Sequence, residues 1–368
     1  MLQVTGVQTT IERLPVSPPV KTAIHDIRSI DTVVVQVSTN RPGVKGQSYL
    51  FAFGLERARA LEALVHDLAG VIRGANPLEV RPLWQRMWES INFLGHKGAA
   101  VMALSGIDVA LWDLRGKYFD APVFRLLGGA DAPLPVYASG GLWLSYTEEE
   151  LRADLDDFLA RGYRAVKLRI GSPEVATDVR RTRMVREYIG PDCKLLVDAN
   201  QGWGRAQALA YAEAVRDCDL YWFEEPFPFD DRDSYRWLAQ RTSIPLAAGE
   251  TEYSRFGARD WLGTGISVFM PDLERIGGVT EWLRVADLLG AHGLAVSPHL
   301  FLEYSVHLMA AVPGGSILED MHSRTSDWTD GLFEDPITIE DGCVVPRERP
   351  GFGLTLKRAI QDRLDSQL

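Results

Sequence analysis

Three carboxylates, Asp198, Glu224 and Glu250, are separated by the same interval of 26 residues, and each closes a short apolar run: LLVDAN, YWFEEP and LAAGE. A strand, a turn, a helix and a second turn fill that interval, so the spacing predicts successive βα units with one polar residue at the end of each strand. Other runs continue the pattern: AVKLRI carries Lys167 and Arg169, VFMPDL carries Asp272, AVSPHL carries His299 and SILED carries Glu319. In a barrel of parallel strands the C-terminal strand ends open into one mouth. Residues far apart in sequence therefore converge there.

At 368 residues the chain has room for a barrel of about 250 residues and a smaller partner. Its hydrophobic fraction of 46% and charged fraction of 24% suit a globular protein with a large core. Net charge is −11, with no basic cluster interleaved with aromatics, which disfavours nucleic acid and anionic membrane and leaves a small-molecule substrate. Cys193, Cys218 and Cys343 lack metal-site spacing and read as reduced packing thiols, in keeping with a cytoplasmic protein. No signal-like N-terminus or apolar run near 18 residues is present, so neither secretion nor membrane spanning is expected.

Along the chain, residues 3–14 and 31–38 read as strands around a proline loop, LPVSPPVKT. A second loop, NRPGVKGQSYLFAFG, is followed from about Leu55 to Lys117 by apolar residues at helical spacing. Strands followed by helices without alternation predict an α+β domain over residues 1–130. LLGGADAPLPVYASGG reads as a turn-rich junction, and βα alternation then marks a barrel over 131–335. The segment 336–368 contains strand-like ITIEDGCVVP and a charged helix, and is expected to return to the first domain.

Asp198, Glu224 and Glu250 on three consecutive strands would offer hard oxygen donors suited to Mg²⁺ more than to zinc. Any one acidic residue at a strand end is more often solvated or a helix cap, so the weight lies on the set. Glu225 faces away from Glu224, and spacing alone does not choose between them. His299 and Asp272 fall on consecutive strands, where the aspartate can hold one imidazole nitrogen and leave the other as a base. Lys167 and Arg169 share one face of an apolar strand, so their charges need partners. The remaining histidines read as ordinary helix or loop residues.

YRAVKLRIG, VDANQGW, YWFEEPF, AAGE, MPDLERIGGVT, SPHL and ILED, in this order, resemble the mandelate racemase subgroup of the enolase superfamily, as do GQSYLFAF and GIDVALWDLRGK nearer the N-terminus. The resemblance implies an α/β fold, a modified TIM barrel (β/α)₇β under an α+β capping domain completed by the C-terminal segment. It also implies Mg²⁺ on Asp198, Glu224 and Glu250, a His299–Asp272 general-base dyad, Glu319 as an acid bonding the substrate carboxylate and Asn200 as a polar substrate contact. Lys167 becomes a cation near the developing charge, LPVSPPVKT and GVKGQSYLFAFG become loops that close over substrate, and a homo-oligomer is expected. The implied chemistry is removal of the proton α to a carboxylate, with Mg²⁺ stabilising the resulting ene-diolate.

Arg169 departs from the pattern, because members that racemise carry Lys-x-Lys on this strand with the second lysine as a base. A guanidinium is a poor proton acceptor near neutral pH. One-base chemistry at His299 remains, which predicts dehydration of a sugar acid to a 2-keto-3-deoxy acid. The alternative within the family is racemisation or epimerisation of a 2-hydroxy acid. Outside it stand a Schiff base on Lys167 and a non-catalytic scaffold.

Overall fold

The structure is a computed structural model that describes residues 1–322 and 331–368; the stretch 323–330 of the expected barrel segment lies outside the described residues. The chain opens with a three-stranded antiparallel sheet of β1 (Val4–Lys21), β2 (Asp26–Thr39) and β3 (Lys45–Ala52), in the order β1-β2-β3. The central strand β2 is buried from Ile30 to Ser38, where Val33, Val34, Val35 and Val37 are covered on both faces. Two expected loops are strands. LPVSPPVK belongs to β1, whose prolines are tolerated because it is an edge strand and its register shifts between Pro15 and Val20. KGQSYLFA is β3, so the aromatics Tyr49 and Phe51 come from a sheet edge.

Helices α1 (Leu55–Ile72), α2 (Val80–Ser90) and α3 (Ala99–Tyr118) follow. α3 lies so near β3 that a Cβ on Gly46 would fall 1.9 Å from the Ala110 carbonyl oxygen, a contact only glycine permits. The other side of α3 grips the barrel rim. Asp108 accepts hydrogen bonds from the Thr280 N–H (2.8 Å) and hydroxyl (2.7 Å), and the Ser105 hydroxyl donates to the Leu273 carbonyl at 2.7 Å. These bonds fix the cap beside Asp272.

The barrel strands are β4 (Leu134–Ala138), β5 (Ala165–Arg169), β6 (Lys194–Asp198), β7 (Leu220–Glu224), β8 (Leu246–Ala248), β9 (Val268–Phe269), β10 (Ala295–Val296) and β11 (Leu318–Asp320). They pair in parallel from β4 through β10, and β11 pairs with β4. The Ser316 N–H donates to the Val296 carbonyl at 2.9 Å, which closes the ring between β10 and β11. A helix follows each barrel strand from β4 to β10, giving (β/α)₇β over an α+β cap, the expected fold. The stretch LLGGADAPLPVYASGG, expected to be a turn-rich junction, contains the five-residue strand β4. Of the C-terminal segment, only Cys343–Val344 forms a strand, β12, and it pairs antiparallel with β4 of the barrel. The charged helix Arg358–Asp365 lies against the cap sheet, where Asp365 meets Lys45 at 2.9 Å and Gln36 at 3.2 Å.

Alternation along each strand divides inside from outside. Tyr137, Ala165, Leu196, Trp222, Ala247, Val268, Met270 and Ile317 pack together in the barrel interior. Two residues further along lie Ser139, Lys167, Asp198, Glu224, Asp272 and Glu319. The polar mouth is therefore the next layer above an apolar floor.

Candidate active site

Glu224 shares its strand face with Trp222, whose indole N–H donates to Glu224 Oε2 at 3.0 Å. That places Glu224 in the mouth and Glu225 off that face, as period-2 alternation requires. Glu225 takes a positive φ of 37° and accepts a bond from Gln201 at 2.8 Å. Glu250 comes just beyond β8, past Gly249, whose φ is +122° and where a Cβ would lie 2.6 Å from the Phe269 ring. The glycine lets the backbone swing Glu250 toward the mouth.

Lys167 is fully buried and reaches Glu319 at 2.7 Å, Glu224 at 2.9 Å and Asp198 at 3.6 Å. Burial and neighbouring Arg169 favour loss of its proton, but those three carboxylates outweigh them and hold its pKa above the ordinary value. The Arg169 guanidinium pairs with Asp198, donates to the Ser139 hydroxyl at 2.9 Å and lies 5.3 Å over the Trp143 ring. It stays charged, its pKa raised because Asp198 and Glu319 overcome its burial. For Glu319, burial pushes upward, while Lys167, His299 and Arg169 hold the carboxyl well below its usual range. It accepts from the Ser139 hydroxyl at 2.6 Å and from the Leu300 N–H at 2.9 Å.

Across the mouth, His299 Nδ1 lies 2.7 Å from Asp272 Oδ2, and its Nε2 faces Glu250 at 3.5 Å. The two residues are also bridged through their backbones as parallel-strand neighbours. Asp272 is buried, which raises its pKa, yet Arg275 and His299 more than offset this and keep it ionised. Arg275 Nη1 sits 3.6 Å from Asp272 Oδ2 and donates to the Glu250 carbonyl at 3.0 Å, so one side chain braces both elements. Burial lowers the His299 pKa, but Glu250, the Asp272 hydrogen bond and Glu319 together raise it. Asn200, at φ 40°, donates its N–H (2.7 Å) and side-chain amide (3.0 Å) to Asp198.

The donors suit a hard divalent cation. Six carboxylates, Asp198, Glu224, Glu225, Glu250, Asp272 and Glu319, are opposed by three fixed cations, Lys167, Arg169 and Arg275. Burial and the nearby Asp198 charge push the Glu224 carboxyl up to about 8, a sign of uncompensated negative charge. Glu225 Oε1 and Asn200 Oδ1 are buried oxygens with no hydrogen-bond partner. Among the described residues no three His, Cys, Asp or Glu side chains already gather around a common point. Asp198 and Glu224 are ion-paired with Arg169 and Lys167.

The family model for the enolase C-terminal domain-like fold matches residues 150–360, and that for the mandelate racemase / muconate lactonizing enzyme N-terminal domain matches 4–128. The chain belongs to the mandelate racemase subgroup of the enolase superfamily. It is 31% identical over 95% of its length, and 96% of the relative's, to the 3,6-anhydro-alpha-L-galactonate cycloisomerase of Streptomyces coelicolor. With the L-talarate/galactarate dehydratase of Salmonella typhimurium it shares 29% identity over 95% of this chain and 88% of that one. A structure of an L-talarate/galactarate dehydratase mutant liganded with Mg and L-glucarate superposes with a TM-score of 0.92 at 27% identity, covering 98% of this chain and 91% of that one.

Sequence reasoning about this family member passed over several residues. Ser139 links Arg169 to Glu319, and the inward alternation of β4 from Tyr137 would have revealed it. Arg275 was hidden because its role depends on a helix turn starting at Asp272. His322, read as an ordinary loop residue, pairs with Asp320 next to Glu319. No helix of the described residues is long and apolar enough to cross a membrane.

Proposed function

We propose that the protein is a Mg²⁺-dependent sugar-acid dehydratase, a lyase that converts a 2,3-dihydroxy acid into a 2-keto-3-deoxy acid. Asp198, Glu224 and Glu250 are the residues that would hold the ion. Bound there, Mg²⁺ would neutralise the negative charge that builds on the substrate carboxylate as the α-proton leaves.

His299 Nε2 faces the mouth and takes the α-proton. Asp272 at Nδ1 fixes the tautomer that leaves the Nε2 lone pair free, and stabilises the imidazolium formed. The same Nε2–H then serves the departing 3-hydroxyl, so one residue makes both transfers in a syn elimination. Lys167 supplies a permanent positive charge near the substrate carboxylate. Glu319 is ionised beside Lys167 and Arg169; a substrate anion entering next to it raises its proton affinity, which is how it would come to donate a hydrogen bond. Asn200 steadies Asp198 and turns its unpartnered Oδ1 to the substrate.

The observation that carries this reading is Arg169. Its guanidinium is committed to Asp198, Ser139 and the Trp143 ring, and opposite His299 it provides a cation where racemisation needs a proton acceptor. A Schiff base at Lys167 would require a neutral amine, which its three carboxylate partners oppose. Racemase or epimerase activity is the second reading, favoured by the full-length similarity to a cycloisomerase. A panel of sugar acids with Mg²⁺, followed for 2-keto product and α-deuterium together, distinguishes them. Keto product supports dehydration, whereas inverted substrate without keto product supports the isomerase.

The domain division into 1–130, 131–335 and 336–368, homo-oligomeric assembly and a cytoplasmic location belong to the same proposal. They rest on family habit and, for location, on three free cysteines.

A further inference from the structure

The barrel holds its polar residues in two different ways. Strands β5, β6 and β7 have five residues each, and their ladder runs out to the functional positions, pairing Arg169 with Asp198 and Asp198 with Glu224. The next strands are shorter: β8 has three residues, β9 and β10 two each. Glu250 and Asp272 therefore lie beyond the ends of their strands. Between β8 and β9 the backbone bonds run as far as the Met270 N–H, which donates to the Ala248 carbonyl at 2.9 Å, and among the described residues they stop there. Gly249 follows at once with φ +122°, a pivot that leaves the Glu250 backbone outside the ladder.

Arg275 reaches across this gap. Its Nη1 donates to the Glu250 carbonyl at 3.0 Å and stands 3.6 Å from Asp272 Oδ2, while its backbone N–H donates to Asp272 Oδ1 at 2.8 Å. One residue thus engages both oxygens of the dyad's aspartate and the backbone of Glu250. Asp272 is tied onward to His299 by the 2.7 Å contact at Nδ1 and by a backbone bridge, and His299 Nε2 turns back to face Glu250 Oε2 at 3.5 Å. The contacts close on themselves through Glu250, Arg275, Asp272 and His299. Without the guanidinium, nothing described joins the first of these to the second.

We infer that Arg275 is a positioning residue that takes the place of the missing β8–β9 ladder and holds Glu250 at a fixed separation from the His299–Asp272 pair. Ion binding and proton abstraction then depend on one side chain, because a shift of about 1 Å between metal and base costs about 100-fold in rate. This rests on the metal and base assignments above, and holds whether loss of the α-proton ends in dehydration or in inversion.

The test uses the full chain and reads three quantities: Mg²⁺ binding by calorimetry without substrate, α-deuterium exchange at saturating Mg²⁺, and thermal unfolding without metal. Arg275→Met keeps an unbranched stem and removes the donors. Its Mg²⁺ Kd is expected to rise at least tenfold and its kcat to fall about 100-fold, with KM within threefold of wild type. Arg275→Lys restores a charged donor and is expected to recover at least tenfold of the kcat loss and most of the lost affinity. A folded Arg275→Met protein with unchanged Mg²⁺ affinity or unchanged kcat overturns the inference, as does a lysine variant no better than methionine. If Arg275→Met does not fold, Arg275→Gln is read in the same way; if neither folds, the residue serves stability and the inference falls. A wild-type protein that binds no Mg²⁺ and exchanges the α-proton of no acid overturns the site reading itself, a result distinct from all of these.

Discussion

Asp272→Asn isolates the contribution of the dyad. The amide is nearly isosteric and still accepts the Arg275 N–H that caps the short helix Leu273–Ile276, now at 2.8 Å, so local folding is retained. Two things change at His299. The side-chain NH₂ can donate to Nδ1, which drives the imidazole to carry its proton on Nε2 and removes the lone pair facing the substrate. The negative charge that stabilises the imidazolium is also lost. For charges about 4 Å apart at an effective dielectric near 20, that attraction is about 4 kcal/mol, close to 10³ in rate. With the tautomer effect added, kcat should fall roughly 10³- to 10⁴-fold with KM changed little. The assay is steady-state 2-keto acid formation at saturating Mg²⁺, with thermal unfolding as a control. A folded variant losing less than tenfold would refute the role given to the pair.

Arg169→Lys replaces a permanent cation with a titratable amine; deuterium exchange into recovered substrate with inversion at C2 should rise at least tenfold over wild type by NMR, as dehydration falls. Gly249→Ala places a methyl against Phe269 at a positive φ, costing about 1–3 kcal/mol of stability and weakening Mg²⁺ affinity through displaced Glu250, measurable by denaturation and by Mg²⁺ titration of activity. Buried His307 has its pKa pushed down to about 3 by desolvation, and its Nδ1 accepts the Phe124 N–H at 3.3 Å. Between about 3 and the unfolded value of 6.5 the unfolded chain binds the extra proton, so this residue's stabilisation is complete above 6.5 and is lost as pH falls toward 3. His307→Asn should flatten the pH dependence of the urea midpoint in that window; an unaltered slope would show that other groups govern it.

The barrel was legible because its signal is repetition. Apolar runs ending in Asp198, Glu224 and Glu250 at one interval force a parallel arrangement, and period-2 alternation then puts Lys167, Glu224 and Glu319 on one inner layer. β4 escaped notice because five residues amid glycines and prolines resemble a turn. The cap strands were harder for a related reason: Pro15 and Pro19 forbid ladder bonds only on one side, and an edge strand has no need of bonds there. Contacts formed in three dimensions left no local trace. Arg275 bracing Asp272 and Glu250, Ser139 between Arg169 and Glu319, and Glu303 beneath Tyr49 each join elements that the sequence separates.

One-base dehydration at His299 is tested most directly by incubating the best sugar acid with the enzyme and Mg²⁺ in D₂O, for wild type and His299→Asn. The account predicts 2-keto-3-deoxy product from the wild type, unreacted substrate of unchanged configuration, and loss of both product and α-exchange in the variant. Recovered substrate with inverted C2 and no keto acid, or a His299→Asn enzyme that still forms product at the wild-type rate, would contradict it.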